Sequence, residues 1–420
     1  MTGESKQIIL NTIGYSTTMF CQWLIILLVP KIGDFSDAGV FAIAISFGTL
    51  TNIIAPFSLY QYQVADQYQK YKENDYFYCR LYTTAFCMIL GIIAIFAFNY
   101  SLVQALSVIF YMLYRMIIHY SSLYQASIQI KERLDYVGIS LAVEGIVSLL
   151  SFLVSFMVWH NLPVSILFMS VLGGGVFFFM MKCGHYRIVG RDYQKKPFNH
   201  NKAMMLFVIG IPVMISNMVP IAITAAPKII LRMYETEEIV GIFGTLTAPT
   251  VIIPTVIGGV FSVFIIKFAH MYDNGDYRSI KYGYVKTTAI ITLFGIASFI
   301  VSIFVEDFFF GLLYGDTIMP YTHYFKTLVA GMVLFSIGSC GNIILIIENR
   351  IMEAAVYSAV SLILSVVVMM VFIPSGSIDA AVYTLLLSYG LYALLISVCI
   401  FMKSKDSMKN DSQDTLQNRV

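Results

Sequence analysis

Residues Ala226 to Pro254 read APKIILRMYETEEIVGIFGTLTAPTVIIP. The stretch places Lys228 and Arg232 at the edge of one long apolar run and opens the next at Gly241. It also repeats a pattern from the start of the chain. Pro30-Lys31-Ile32 follows the first apolar run as Pro227-Lys228-Ile229 follows the seventh, and Gly39-Val40-Phe41 opens the second as Gly241-Ile242-Phe243 opens the eighth. Two features, a duplicated arrangement of spans and cations at their edges, organise the reading of the whole chain.

Of the 420 residues, 58% are hydrophobic and 12% charged, with a mean hydropathy of +0.79. A soluble domain carries about a quarter charged residues. The apolar residues fall in runs of about 20, the length that crosses a hydrocarbon core about 30 Å thick. The chain is therefore read as an all-α integral membrane protein, because a span in lipid must satisfy its own backbone hydrogen bonds. Barrel strands would be shorter and would alternate in polarity. Twelve transmembrane helices are expected, at 8–29, 38–60, 81–98, 102–124, 137–158, 162–181, 203–225, 239–266, 283–305, 322–347, 354–373 and 378–402. The run Ile8 to Val29 is too long for the apolar core of a signal peptide and reads as the first span.

Orientation follows from lysine and arginine, which are retained on the cytoplasmic side. Twelve spans put both termini and every even-to-odd connection on one side, and that side holds all of the 26 Lys and Arg residues except Lys31, Arg115, Lys228, Arg232 and Lys326. Both termini are expected in the cytoplasm. The outward loops are too short to form a domain. The six cysteines, Cys21, Cys79, Cys87, Cys183, Cys340 and Cys399, form no CxxC pair, so neither a metal site nor a disulfide framework is indicated.

The duplication extends further. Tyr71 to Tyr76, YKENDY, matches Tyr272 to Tyr277, YDNGDY; Thr83-Thr84-Ala85 matches Thr287-Thr288-Ala289; Gly91-Ile92 matches Gly295-Ile296. Order and a nearly constant offset make the case. Six helices per half give parallel repeats related by an axis along the membrane normal. The expected architecture is a six-helix lobe over residues 1–181, a basic cytoplasmic linker over 182–202, a second lobe over 203–402 and a disordered cytoplasmic tail over 403–420. The two lobes would face one another around a central cavity, a geometry suited to alternating access.

A charge inside a span costs at least about 2.5–3.5 kcal/mol and is by default a functional candidate. Arg115 lies near the centre of span four, with His119 one turn away on the same face. Glu144 lies inside span five. Lys31, Lys228, Arg232 and Lys326 cluster at outward span ends, where long cationic side chains also reach the headgroups simply by snorkelling. Arg115 and Glu144 have two readings: an ion pair that locks two helices, or a cavity arginine beside an ion-coupling carboxylate. His119, without a visible partner, reads as a packing residue. If the cations face a cavity, the ligand is anionic. Arginine's fork suits phosphate oxygens and lysine adds point charge. The substrate-binding candidates are Arg115, Lys228, Arg232, Lys31 and Lys326, and Glu144 is the ion-coupling candidate.

The segment from Ala226 to Pro254, with Glu238-Ile239-Val240-Gly241-Ile242-Phe243 at its centre, resembles the junction of the seventh and eighth helices in the polysaccharide-synthesis branch of the multidrug/oligosaccharidyl-lipid/polysaccharide (MOP) exporter superfamily. Phe243 stands where that pattern has Tyr, and Pro227 or Lys228 stands where it has an acid. Upstream, YQYQVADQYQKYKENDYFYCRLYTT (60–84) resembles the second cytoplasmic loop of Wzx-type O-antigen and capsule repeat-unit flippases. The resemblance implies a flippase of the bacterial cytoplasmic membrane. It would move an undecaprenyl-pyrophosphate-linked oligosaccharide from inner to outer leaflet, with its tail in lipid, for O-antigen, capsule or other surface polysaccharide. A polymerase and glycosyltransferases are the implied partners.

Other classes fit less well. A multidrug exporter of this superfamily usually needs several intramembrane acids, and Glu144 is the one acid clearly inside a span. A peptidoglycan-precursor flippase more commonly has extra helices. An enzyme would show a substantial loop or domain for catalytic groups, and no Walker A pattern occurs. No enzymatic activity, cofactor, metal or nucleic-acid partner is expected.

Overall fold

The computed structural model describes residues 3–56, 63, 73–190 and 200–402. Residues 191–199 of the expected linker, 57–62 and 64–72 of the loop after span two, and the tail 403–420 lie outside the described residues.

The described chain is helical, with α1 (Gly3–Ile32), α2 (Phe35–Ile54), α3 (Glu73–Ala97), α4 (Leu102–Ile130), α5 (Leu134–Trp159), α6 (Leu162–Phe168), α7 (Gly175–Ile188), α8 (His200–Tyr234), α9 (Glu237–Thr247), α10 (Ile252–Asp273), α11 (Tyr277–Tyr314), α12 (Phe325–Ile347) and α13 (Ile351–Met402). A π-turn over Met169–Gly174 joins α6 to α7, and the short turn Pro249–Val251 joins α9 to α10. Ten helical stretches among the described residues are long and apolar enough to cross a membrane. The twelve expected spans follow from two further details. Helix α2 adds a 20-residue apolar helix. Helix α13 runs for 52 residues, about 78 Å at 1.5 Å per residue, and is two spans broken at Ser377, whose φ of 50° and ψ of −134° leave the helical region three residues after Pro374.

Tight connections fix the helix starts. The side chain of Asp34 accepts from Asp37 N at 2.8 Å to cap α2. Ser101 and Gln104 form a reciprocal capping box on α4, and Asn161 caps α6 with Pro163 behind it. Each cap satisfies backbone donors that have no helical partner. The connections between α1 and α2, α3 and α4, α5 and α6, and α8 and α9 are two to four residues long.

The described chain divides into two compact units, Met1–Met214 with Glu235–Ala248, and Ile215–Tyr234 with Pro249–Val420. In the first, α1 and α5 approach through small residues. A Cβ on Gly14 would lie 1.9 Å from Gly138 O, and one on Gly145 would lie 2.7 Å from Thr18 Cα. In lipid the drive to associate comes from such close packing and from interhelical hydrogen bonds. One of these runs from Thr18 Oγ1 to Leu141 O at 2.7 Å.

The same unit holds the contact of α2 with α9. A Cβ on Gly39 would lie 1.9 Å from Glu237 O, and a Cβ on Gly241 would lie 1.8 Å from Phe35 O. Each glycine thus meets the carbonyl four residues before the other. Gly39 and Gly241 are equivalent positions of the sequence repeat, so the contact is self-complementary, as at a two-fold axis. Glu237 extends it by accepting from Ser36 Oγ at 2.8 Å and from Gln104 Nε2 at 2.6 Å.

In the second unit α12 packs on the second half of α13, where Gly338 leaves room for the Tyr392 ring. Ser216 Oγ donates to Asn342 Oδ1 at 2.7 Å and Tyr389 OH to Thr224 Oγ1 at 2.9 Å, tying α8 to both. Between α12 and α13, Arg350 bonds Glu348 and Glu353, each at 2.9 Å, and Cys399 O at 2.7 Å.

Candidate functional site

Helix α4 supplies the centre of the first unit's polar site. Tyr111, Tyr114, Arg115 and His119 lie within its middle turns. Gly48 of α2 makes the space: a Cβ there would lie 2.3 Å from the Tyr111 ring. Arg115 is partly exposed. Its Nη2 donates to Gln22 Oε1 on α1 and to Tyr111 OH, both at 3.0 Å, and its guanidinium carbon lies 5.3 and 5.4 Å from the centroids of the Tyr111 and Tyr114 rings. Its buried Nε has no hydrogen-bond partner among the described residues. The guanidinium is held by neutral oxygens and ring faces, with no carboxylate in salt-bridge contact among the described residues.

Glu144 on α5 is 1% exposed and Tyr114 is fully buried. Tyr114 OH donates to Glu144 Oε1, and Ser148 Oγ donates to the same oxygen at 2.9 Å. Gln22 Nε2 donates to Tyr114 OH at 3.2 Å. The π-turn supports this arrangement from behind. A Cβ on Gly173 would lie 2.0 Å from Ser148 Oγ, so a glycine is needed to seat the serine. The ion pair entertained for Arg115 and Glu144 is not formed; Tyr114 stands between them and relays the contact through its hydroxyl and its ring. A phenol can do this because one hydroxyl both donates and accepts.

His119 also differs from expectation. Its Nε2 lies 2.7 Å from Asn52 Oδ1 of α2, so it has a partner. Arg80, counted from sequence among the cytoplasmic loop cations, lies instead in the second turn of α3 and is fully buried. One nitrogen donates to His119 O and Ser122 Oγ, while Nε and Nη2 have no partner among the described residues. Its signal was present in Tyr78-Cys79-Arg80-Leu81-Tyr82, where apolar and aromatic residues flank it on both sides. Lys31 is exposed in the last turn of α1, where a snorkelling lysine would sit.

In the second unit, Lys228 and Arg232 stand one turn apart near the end of α8, which continues to Tyr234, past the expected boundary at 225. Both are partly exposed, and Lys228 has no hydrogen-bond or ion-pair partner among the described residues of its unit. Lys326 is not a free cation. Its Nζ lies 3.3 Å from Glu306 Oε1. Glu306 is 6% exposed, so Glu144 is not the sole buried acid inside a helix. The sequence misled here because the apolar run ends at Val305 while α11 continues to Tyr314. The structure therefore brings Arg115, Tyr114 and Glu144 into one network and pairs Lys326 with Glu306. Lys31 joins neither.

Comparison with known proteins bears on what this scaffold is. No family model matches the chain. A capsular polysaccharide biosynthesis protein, CapF of Staphylococcus aureus, is 26% identical over 301 residues, 70% of this chain and 73% of that one. Among solved structures, the lipid II flippase MurJ in an inward closed conformation aligns with a TM-score of 0.71 at 11% identity, covering 93% of this chain and 87% of MurJ. An inward-facing multidrug-resistance MATE transporter of the MOP superfamily aligns with a TM-score of 0.65 at 11% identity, covering 97% and 96%. The MATE multidrug transporter DinF-BH gives a TM-score of 0.65 at 11% identity, over 95% of both chains. Likeness at this identity speaks to fold alone: over its described residues the chain shares the all-α membrane fold of these transporters.

Proposed function

We propose that the protein is a flippase for an undecaprenyl-pyrophosphate-linked oligosaccharide, moving the repeat unit from the inner to the outer leaflet of a bacterial cytoplasmic membrane for O-antigen, capsule or other surface polysaccharide. The observation that carries this reading is the state of Arg115. It sits mid-helix, partly exposed, among neutral partners, an arrangement that suits an anionic ligand better than a cationic drug. The likeness to a capsule biosynthesis protein supports the polysaccharide side of the reading.

In this reading Arg115 holds the pyrophosphate in the first unit, and Lys228 and Arg232 of α8 are the candidate anion-binding cations of the second; the lobes 1–181 and 203–402 alternate access to the substrate. Lys31 offers a secondary cation at the outward rim. Lys326, already paired, contributes less. Glu144 binds the coupling ion or proton, and Tyr114 carries the change in its charge to the Arg115 side of the network. Both termini lie in the cytoplasm, where glycosyltransferases build the substrate; a polymerase receives it on the other side.

The test is a strain that lacks its own repeat-unit flippase. Arg115→Ala should give normal protein abundance and no surface polysaccharide, and Arg115→Lys should recover it in part, because the fork is lost. Full surface polysaccharide from a well-expressed Arg115→Ala protein would overturn the assignment. Glu144→Gln separates coupling from binding: it should abolish transport while leaving the substrate bound.

A further inference from the structure

The second unit carries an apolar groove of about 170 Å³ between α10 and α11, lined by Val256, Val260 and Phe264 on one helix and Thr287, Ile290 and Phe294 on the other. Each set recurs at three- or four-residue spacing, so each forms one helix face. On α10 the groove runs from Val256 to Phe264, eight steps of about 1.5 Å, or about 12 Å of helix. Val260 is 55% exposed and Ile290 49%, so the groove opens outward.

Apolarity alone confers no preference in a bilayer, because lipid tails are as apolar as the side chains they would replace. The informative feature is charge at one end. Lys267 lies one turn beyond Phe264 on the same face of α10, with its ammonium 5.3 Å from the Phe264 ring centroid. Lys286 immediately precedes Thr287 on α11. Both lysines are exposed, and neither makes an ion pair among the described residues. At the other end, beyond Val256, lie Ile252 and Val251. A narrow apolar channel with two cations at one mouth matches a single long chain that ends in an anionic head.

We propose that this groove is a docking site for the polyisoprenyl phosphate moiety of a carrier lipid, with the tail between α10 and α11 and the phosphate on Lys267 and Lys286. The inference rests on the transport reading above, in which this mouth faces the cytoplasm, where the carrier is loaded. It adds a site separate from Arg115: the tail is held on the outer face of the second unit.

A photo-crosslinking residue at Val260, and separately at Ile290, in full-length protein tests the docking in cells that make the carrier, with Ile296, 54% exposed on the opposite face of α11, as control. The expected result is a polyisoprenyl phosphate adduct, read by mass, at Val260 and Ile290 and phospholipid adducts at Ile296. Each lysine near a membrane surface contributes about fivefold to binding an anionic lipid, so Lys267→Gln with Lys286→Gln should lower the polyisoprenyl adduct about 25-fold at unchanged abundance. Phospholipid adducts alone at all three positions would overturn the docking, as would a polyisoprenyl adduct indifferent to the lysines. The transport reading is read independently, by restoration of surface polysaccharide by the unmodified chain. Restoration with phospholipid adducts sinks the groove alone; a polyisoprenyl adduct without restoration sinks transport and leaves the groove standing.

Discussion

Removing the Tyr114 hydroxyl should uncouple the two charged residues that flank it. Tyr114→Phe keeps the ring against Arg115 but takes one donor from Glu144 and leaves Gln22 Nε2 without its acceptor. A hydrogen bond to a charged group contributes about 1.5–3 kcal/mol in soluble proteins. Interhelical bonds in a membrane average about 0.6 kcal/mol and reach about 1.7. Both partners here are buried and the acceptor is a carboxylate, so the coupling should lie near the upper membrane value, about 1.5 kcal/mol, or roughly a tenfold change in the unfolding equilibrium. The assay is a double-mutant cycle over wild type, Tyr114→Phe, Glu144→Met and the double variant, by reversible unfolding in mixed micelles. A coupling below about 0.3 kcal/mol, within the error of additivity, would refute the relay and leave Ser148 as the group that holds Glu144.

Three further outcomes are expected. Gly39→Ala or Gly241→Ala should force α2 and α9 more than an ångström apart, since the new methyl would start under 2 Å from a carbonyl oxygen, and should cost about 1–3 kcal/mol in the same unfolding assay; an unchanged midpoint would contradict the close approach. Lys326→Met should destabilise by about 1 kcal/mol, discounted because Lys326 is a third exposed, and adding Glu306→Met should recover it; failure of the double variant to recover would show that the acid has another role. In a cysteine-free background, an impermeant thiol reagent applied to intact cells should label a cysteine at Asn161 and spare one at Asn274; the reverse pattern would invert the topology.

The twelve spans were legible because lipid leaves a segment few options, and apolar length reports them directly. Even the break in α13 was written as Pro374-Ser375-Gly376 between two apolar runs. Where the reading slipped, helices outlasted their hydrophobic runs. Helix α8 continues to Tyr234 and α11 to Tyr314, which moved Lys228 and Arg232 into a helix and brought Glu306 inside one. The polar network was only half legible. Arg115 and Glu144 stood out by their cost, but the identity of the group between them depends on how α1, α4 and α5 are rotated against one another, and no local spacing encodes that. Tyr114 is one of 28 tyrosines; composition could not single it out. Asn52 beside His119 and the burial of Arg80 belong to the same class of contact, made by residues distant in sequence.

The contact of α2 with α9 has a meaning in terms of inheritance. A face that meets its own repeat equivalent is the face of a homodimer, in which every substitution is expressed twice, once on each side of the axis. Joining the halves into one chain removes that constraint, because each copy can then change alone. Glu237 is such a change. Its counterpart in the first half is Phe35, whose side chain carries no polar atom, while Glu237 reaches Ser36 and Gln104. One chain can thus keep the paired glycines on which the approach depends, while one side alone carries a carboxylate that two identical subunits could present only in duplicate, two like charges across one axis.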